Sequence, residues 1–365
     1  MRFIFASYVR TSDLDDPAGW IKRTRAYAGI HKLLAIDHEV ISIEQINFEG
    51  KYFENGVNYH FVRLSKTGRY LPEKLHRYIK SLTPDVVVIH GLHFPLQVIQ
   101  LRYRLGKNVK IIIQNHAEKP FMGIKKYFQR WADKYVDAYF FASRDMGLDW
   151  VKKGNLASPQ KIHEVMELSS VFYPISKREA KIQTGANGEP VFLWVGRLNE
   201  NKDPMNVVRA FLQFVEIHPA ARLYMIYHTS ELLPEIIHLL KHHSNKDAVS
   251  LIGEVPNEEL LYWYNTADFV ISGSYYEGSG TAICEAMSCG CIPIVTDIFS
   301  FRMITENGNC GFLYEAGNQH ALLTALLNTP GIDREQKRNA CLRYFASNLS
   351  FEAIARHFQD IAGRL

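Results

Sequence analysis

Hydrophobic positions along the chain fall into short, nearly continuous runs separated by longer stretches of helical period. In the first half the runs are RFIFASYV (2–9), HEVISIEQI (38–46), DVVVIHG (85–91), VKIIIQNH (109–116) and DAYFFAS (137–143). Helical patterns over 19–36, 71–82, 94–105 and 121–135 lie between them. Short Val, Ile and Phe runs followed by helices are the pattern of parallel strands buried on both faces. The alternation breaks at SKREAKIQTGANGEP (176–190), a polar segment that reads as a linker. It restarts with VFLWVGR (191–197), ARLYMIYH (221–228), VSLIGE (249–254), DFVISGS (268–274) and IPIVTD (292–297). The helix after VFLWVGR is predicted to open on Asp203 as cap and Pro204 in its first turn. It sets Val207, Val208, Phe211, Leu212 and Val215 on one stripe. Two strand–helix series predict an α/β protein of two doubly wound, Rossmann-like domains, at 1–180 and 181–350. A last helix, 351–365, is expected to pack back on the first domain. Ligands of such sheets bind beyond the carboxyl ends of the strands, which directs attention to the loops that follow them.

A length of 365 residues suits two domains of about 100–200 residues each. With 47% hydrophobic and 22% charged residues the chain is neither disordered, fibrous nor a coiled coil. The net charge of +4 conceals an asymmetry. Residues 1–180 hold 28 Lys and Arg against 18 Asp and Glu, a net of +10; residues 181–365 hold 14 against 20, a net of −6. The five cysteines all lie beyond position 283, an odd count that argues against a disulfide framework and for a reducing compartment. Cys289 and Cys291 form a C-x-C without a second pair, which favours packing over metal binding. There is no run of 18 apolar residues, and the start, MRFIFASYVRTSDLDD, turns acidic too early for a signal peptide. A cytoplasmic protein is expected.

Two post-strand loops carry the chemistry. VFLWVGR is followed by Leu198-Asn199-Glu200-Asn201-Lys202, so Arg197 and Lys202 stand five residues apart beside Gly196. A guanidinium fork and a point charge at a close-approach glycine can clamp a diphosphate. DFVISGS is followed by Tyr275-Tyr276-Glu277-Gly278-Ser279-Gly280-Thr281-Ala282-Ile283-Cys284-Glu285. Here glycines open a helix after a strand, which makes an anion seat from free amides and the helix dipole. Glu277 and Glu285 flank that seat, and carboxylates accept from the vicinal hydroxyls of ribose and hexose rings. Glu285 stands among Ala282, Ile283, Ala286 and Met287, where an unpartnered charge would be costly. Diphosphate clamp, anion seat and paired carboxylates together imply a nucleoside-diphosphate sugar.

The E-x7-E of EGSGTAICEAMSCGCIPIVT, together with GRLNENK, resembles the retaining glycosyltransferases of family 4. The resemblance is strong over 190–318 and includes GEVPNEEL (253–260) and NGNCGFLYEAGN (307–318). It implies the GT-B fold, in which two Rossmann-like domains face each other across a cleft. By residue, it implies that Arg197 and Lys202 bind the donor diphosphate. Glu285 would hold the ribose and Glu277 the donor sugar. Gly278, Ser279, Gly280 and Thr281 would present the helix start, and Val255 would lie by the base. In the first domain it places His116 near the transferred sugar and Gly19 in a loop facing the phosphates. That loop has one glycine where the family has a pair, Ser279 replaces an aromatic residue, and IFSFRMI (298–304) lacks the family's Gly-Gly-x-Pro-Glu.

What the resemblance implies is a metal-independent, retaining hexosyltransferase for polysaccharide or glycoconjugate synthesis. UDP- or GDP-sugar is the expected donor, with a glycan, lipid-linked or small-molecule acceptor and no cofactor. Asp13-Leu14-Asp15 matches a metal-binding DxD only formally. Two alternatives stand beside this reading: a nucleotide-sugar epimerase of the same fold, and a non-catalytic nucleotide-sugar-binding partner subunit. In the basic half, Ile124, Tyr127, Phe128, Trp131 and Tyr135 share one face of a helix, with Lys125, Lys126, Arg130 and Lys134 opposite. One reading is a core-facing stripe with solvated cations. The other is a peripheral contact with anionic membrane at its inner face. Nucleic acid is not expected as a partner, because the positive charge is spread without an aromatic RNA motif.

Overall fold

A computed structural model describes residues 1–63 and 70–365. The chain divides into two compact units, Met1–Ser169 with Phe351–Leu365, and Ser170–Ser350. The division falls ahead of the polar segment 176–190, which is not simply a connector: it carries the helix Lys177–Thr184, ended by Gly185 in the left-handed conformation.

The first unit contains β1 (Arg2–Ser7), β2 (Glu39–Glu44), β3 (Gly50–Glu54), β4 (Val57–Phe61), β5 (Val86–His90), β6 (Lys110–Gln114), β7 (Ala138–Phe141) and β8 (Ile162–Glu164). They form one sheet in the order β3-β4-β2-β1-β5-β6-β7-β8. All pairs are parallel except the β3–β4 hairpin at the edge. The five strands expected from the hydrophobic runs are the central ones. The hairpin is a short edge element with an exposed strand, so it lacks their continuous apolar signal. One face of the sheet packs Ile4, Val87, Ile113 and Phe141 into a core with Trp150. On the other, the terminal helix Phe351–Arg364 sets Phe358 with its ring centroid 5.0 Å from Phe140 and 5.7 Å from Phe3 and Phe5. Gly29 admits Phe351 of that helix: a β-carbon there would lie 2.4 Å from its ring.

The helix Gly123–Ala132 is turned the other way from a core-facing stripe. Its buried residues are Gln129 and Ala132, while Ile124, Tyr127 and Trp131 are exposed. Phe121, just ahead of the helix, packs edge-on against Trp150 of the core, with ring centroids 5.3 Å apart.

The second unit contains β9 (Val191–Gly196), β10 (Arg222–Tyr227), β11 (Val249–Gly253), β12 (Phe269–Ser272), β13 (Ile292–Thr296) and β14 (Phe312–Tyr314). Their order is β11-β10-β9-β12-β13-β14, parallel throughout. The chain winds outward one way from β9 and then the other way from β12, so the switch point lies between these two strands. They pair only through Phe192–Phe269 and Leu193–Val270. The ends of β9 and β12 are therefore free of each other, which opens a crevice at their carboxyl ends.

Candidate functional site

Two loops meet at that crevice. After β9, the Leu198 amide donates to the Thr229 hydroxyl at 2.8 Å, and the Asn199 side chain accepts from the Lys202 amide at 3.2 Å. These bonds hold the single turn Glu200–Lys202, which ends in Asp203 with φ 44°. Asp203 takes the expected cap position ahead of Pro204, but in that left-handed conformation its side chain makes no capping bond to the helix Pro204–Ile217. Its carboxylate instead accepts from the Tyr275 hydroxyl at 3.2 Å. Gly273, just after β12, permits the approach: a β-carbon there would lie 3.1–3.2 Å from the carbonyls of Lys202 and Asp203. Asn201 completes the link, its side chain donating to the Tyr276 carbonyl and its carbonyl accepting from the Tyr275 amide, both at 2.9 Å.

This linkage brings the two halves of the expected site together. The Lys202 ammonium is ion-paired with the Glu277 carboxylate, both largely buried. The same Glu277 oxygen accepts from the Ser274 hydroxyl at 2.6 Å. Gly278 and Ser279 are buried and lead to Gly280, whose φ of 55° starts the helix Thr281–Ser288. No side chain caps that helix, so its first amides point outward with the positive end of the dipole. One turn on, Glu285 accepts from the Tyr264 hydroxyl at 3.0 Å. Tyr264 is fully buried; burial, and then the Glu285 charge, push its phenol well above its ordinary pKa, so it remains a donor.

Arg197, Lys202, Val255, Glu277, Gly280, Thr281 and Glu285 all line one cavity of about 970 Å³. Sequence reasoning missed other parts of its wall, notably Tyr227, His228 and Phe301, while Glu254 and Asn257 belong to the segment GEVPNEEL already singled out with Val255. Tyr227 ends β10 and His228 follows it, as Gly196 ends β9 and Arg197 follows it, so the signal for them was their position at a strand end. Cations, an uncapped helix start and carboxylates around a cavity of this size suit a polyanionic ligand that also presents hydroxyl groups.

The first unit holds His116 just past β6. Its Nδ1 is ion-paired with buried Glu167, and its Nε2 lies 2.8 Å from Nδ1 of His90. Burial opposes charge on His116, but the Glu167 carboxylate, with Glu118 behind it, outweighs that and raises its pKa. His90 is pushed well below its ordinary value by burial and then by His116 and His31. Positive charge is therefore favoured on His116 over His90. Glu118 fixes the local loop, accepting from the amides of His116 at 2.7 Å and Leu92 at 3.1 Å. Gly19 lies in the first turn of the helix Pro17–Arg23, where its amide donates to the Asp16 carboxylate at 2.8 Å. That carboxylate occupies the amide expected to face phosphate.

Asp13 of the formal DxD pairs with exposed Arg23 at 3.0 Å. Among the described residues no group of three or more His, Cys, Asp or Glu could hold a metal ion. Cys284, Cys289 and Cys291 are buried in the second unit, and burial raises their thiols, as suits packing residues. Among the described residues no helix is long and apolar enough to cross a membrane.

Residues 176–340, within the second unit, match the family described as Glycosyl transferases group 1. The D-inositol 3-phosphate glycosyltransferase of Nocardia farcinica is 27% identical over 190 residues, covering 49% of this chain and 41% of that protein. Spore coat protein SA of Bacillus subtilis is 26% identical over 199 residues, covering 51% and 52%. The chain spans about half the length of the curated relatives it matches. Among solved structures, Anabaena HepE in complex with UDP matches over the full length of both chains, with a TM-score of 0.77 and 13% identity. Sucrose-phosphate synthase from Thermosynechococcus elongatus matches with a TM-score of 0.71 and 14% identity, over 100% of this chain and 98% of its own. The fold is that of the GT-B glycosyltransferases, two α/β domains each built on a parallel sheet.

Proposed function

We propose that this protein transfers a glycosyl group from a nucleoside-diphosphate sugar to a glycan, lipid-linked or small-molecule acceptor, with retention of anomeric configuration. One observation carries the reading: Arg197, Lys202, Glu277 and Glu285 line a single cavity at the switch point of a doubly wound sheet. The match of 176–340 to group 1 glycosyl transferases supports it, and the UDP in the structure of HepE favours a uridine donor over a guanosine one.

The chemistry follows from charge. A nucleoside diphosphate leaves with negative charge developing on its terminal phosphate. Arg197, Lys202 and the amides at the start of Thr281–Ser288 stabilise that charge. Those protein cations do the work that a bound metal does in other transferases, so no metal is required. Glu285 accepts from the ribose hydroxyls, Glu277 from a hydroxyl of the sugar, and Val255 lies against the base. His116, whose Nδ1 is held by Glu167, exchanges the Nε2 contact with His90 for a hydroxyl of the transferred sugar and fixes its orientation. In a retaining displacement the departing phosphate takes the acceptor's proton on the same face, so no separate base is needed.

The test is a thermal-shift screen of the full chain against UDP-, GDP- and ADP-sugars, followed by product analysis with the donor that stabilises most. Stabilisation by one base, with release of its diphosphate, supports the reading. A sugar nucleotide returned epimerised would assign an epimerase instead, and binding without turnover across an acceptor panel would assign a non-catalytic subunit.

A further inference from the structure

We propose that the exposed face of the helix Gly123–Ala132, with the groove beside it, is a docking surface for an anionic lipid bilayer. A surface helix ordinarily turns its apolar residues to the core and its polar ones to water. Here the arrangement is reversed. Met122, Ile124 and Tyr127 are 83%, 71% and 72% exposed and Trp131 is 45% exposed, while Gln129 takes a buried position. The helix is seated by Gln129, Ala132 and half-buried Phe128, and its apolar stripe is left unpartnered.

The stripe does not stand alone. Lys125 and Phe128 also line a groove of about 490 Å³, whose other walls include Tyr70, Phe94, Leu96 and Phe121. Tyr70 and Leu96 are themselves exposed, so the apolar surface continues from the helix across the groove. Contiguous exposed apolar area of this kind marks an interaction site.

Charge selects the occupant. Between Lys119 and Lys134 the exposed charged side chains, Lys119, Lys125, Arg130 and Lys134, are all cations. The carboxylate in that stretch, Asp133, is buried. Indole and phenol rings with long aliphatic side chains at the centre and cations at the rim match the layered chemistry of a bilayer interface. The apolar groups enter the acyl boundary, Trp and Tyr sit at headgroup depth, and the cations meet anionic headgroups. The surface is independent of the proposed transfer reaction, since none of its residues belongs to the donor cavity.

The experiment is co-sedimentation of the full chain with phosphatidylcholine vesicles and with vesicles of phosphatidylcholine and phosphatidylglycerol, at low and high salt. Binding to the anionic vesicles is expected to exceed binding to the neutral ones by at least about tenfold and to fall as salt rises. The triple variant Met122→Glu, Ile124→Glu, Tyr127→Glu alters only exposed positions. It is expected to lose at least about tenfold of that binding with an unchanged melting temperature. Should it fold poorly, Lys125→Gln with Lys134→Gln tests the cationic rim alone and is expected to flatten the salt dependence. Equal retention on neutral and anionic vesicles would overturn the proposal. So would full retention by the triple variant, or a dimer in ultracentrifugation that the triple variant abolishes while vesicle binding is absent. Nucleoside-diphosphate binding by the same preparations reports separately on the donor site.

Discussion

Lys202 and Glu277, one from each of the two loops at the switch point, are ion-paired to each other, with Ser274 donating to the same carboxylate oxygen. The pair joins a cation suited to phosphate with a carboxylate suited to sugar hydroxyls. Before a donor binds, each neutralises the other in a largely buried setting, where an unpaired charge would be costly. Under the proposed function, an arriving diphosphate would share Lys202 and release Glu277 to accept from the sugar.

This sharing predicts that the two partners respond oppositely to removal. Lys202→Ala should weaken binding of a nucleoside diphosphate by about tenfold or more, because it removes a direct charge-assisted contact. Glu277→Gln should leave that affinity unchanged or raise it, because Lys202 is freed for phosphate, yet turnover should fall by about a hundredfold. Calorimetry with the nucleotide and steady-state rates with the sugar nucleotide separate the two. Parallel losses of affinity in both variants would show that the pair is merely structural.

Glu285 makes a different prediction. It accepts from Tyr264 at 3.0 Å and lines the cavity, so Glu285→Ala removes a ligand contact and strands a buried phenol. A stability loss of about 1–3 kcal/mol is expected. If the carboxylate holds ribose, affinity for the nucleoside diphosphate should fall about tenfold, and affinity for pyrophosphate should be unchanged. Equal losses for both ligands would place its effect in the fold rather than on ribose.

The His116–Glu167 pair predicts a pH dependence. The pKa of His116 is raised in the folded protein above the ordinary value near 6.5. Its contribution to stability is therefore fully present below pH about 6.5 and is lost as pH rises through the folded pKa. Glu167→Gln removes the group that raises it, so the His116 resonance in an NMR titration should shift at lower pH in the variant. His90, held neutral, should not titrate in the same range in the parent protein. A His116 titration unchanged by Glu167→Gln would contradict the pairing.

Gly280 is predicted to resist replacement. Its φ of 55° and the 2.8 Å that a β-carbon would leave to the Phe301 ring combine backbone strain with a clash. Gly280→Ala should cost about 1–3 kcal/mol and displace the start of the helix Thr281–Ser288, lowering nucleotide affinity as well. A melting temperature equal to that of the parent would show that the loop relaxes freely.

The parts of the architecture legible in the sequence were those with strong local physics. VVVI of β5 and KIII of β6 carry enough continuous apolar character to announce buried parallel strands. The two loops of the cavity were legible because glycine, cation and carboxylate stand at fixed spacings after strands. What was hidden depends on distant contacts. Asp203 takes the cap position the sequence indicates, but the approach of Tyr275 and the left-handed turn give its carboxylate another partner. The stripe from Ile124 to Tyr135 has the period of a core face, and period alone cannot say which side of a helix meets the core. Glu167 sits far along the chain from His116, and only the fold of the sheet brings them together.

The most direct measurement is a titration of the full chain with UDP and with GDP, repeated on the double variant Arg197→Ala, Lys202→Ala. Saturable binding of one nucleotide by the parent, and its loss by about a hundredfold or more in a variant with the same melting temperature, is the predicted result. Binding of the same strength in the double variant, or no binding of either nucleotide by the parent, would contradict the assignment of this cavity to a nucleoside-diphosphate sugar.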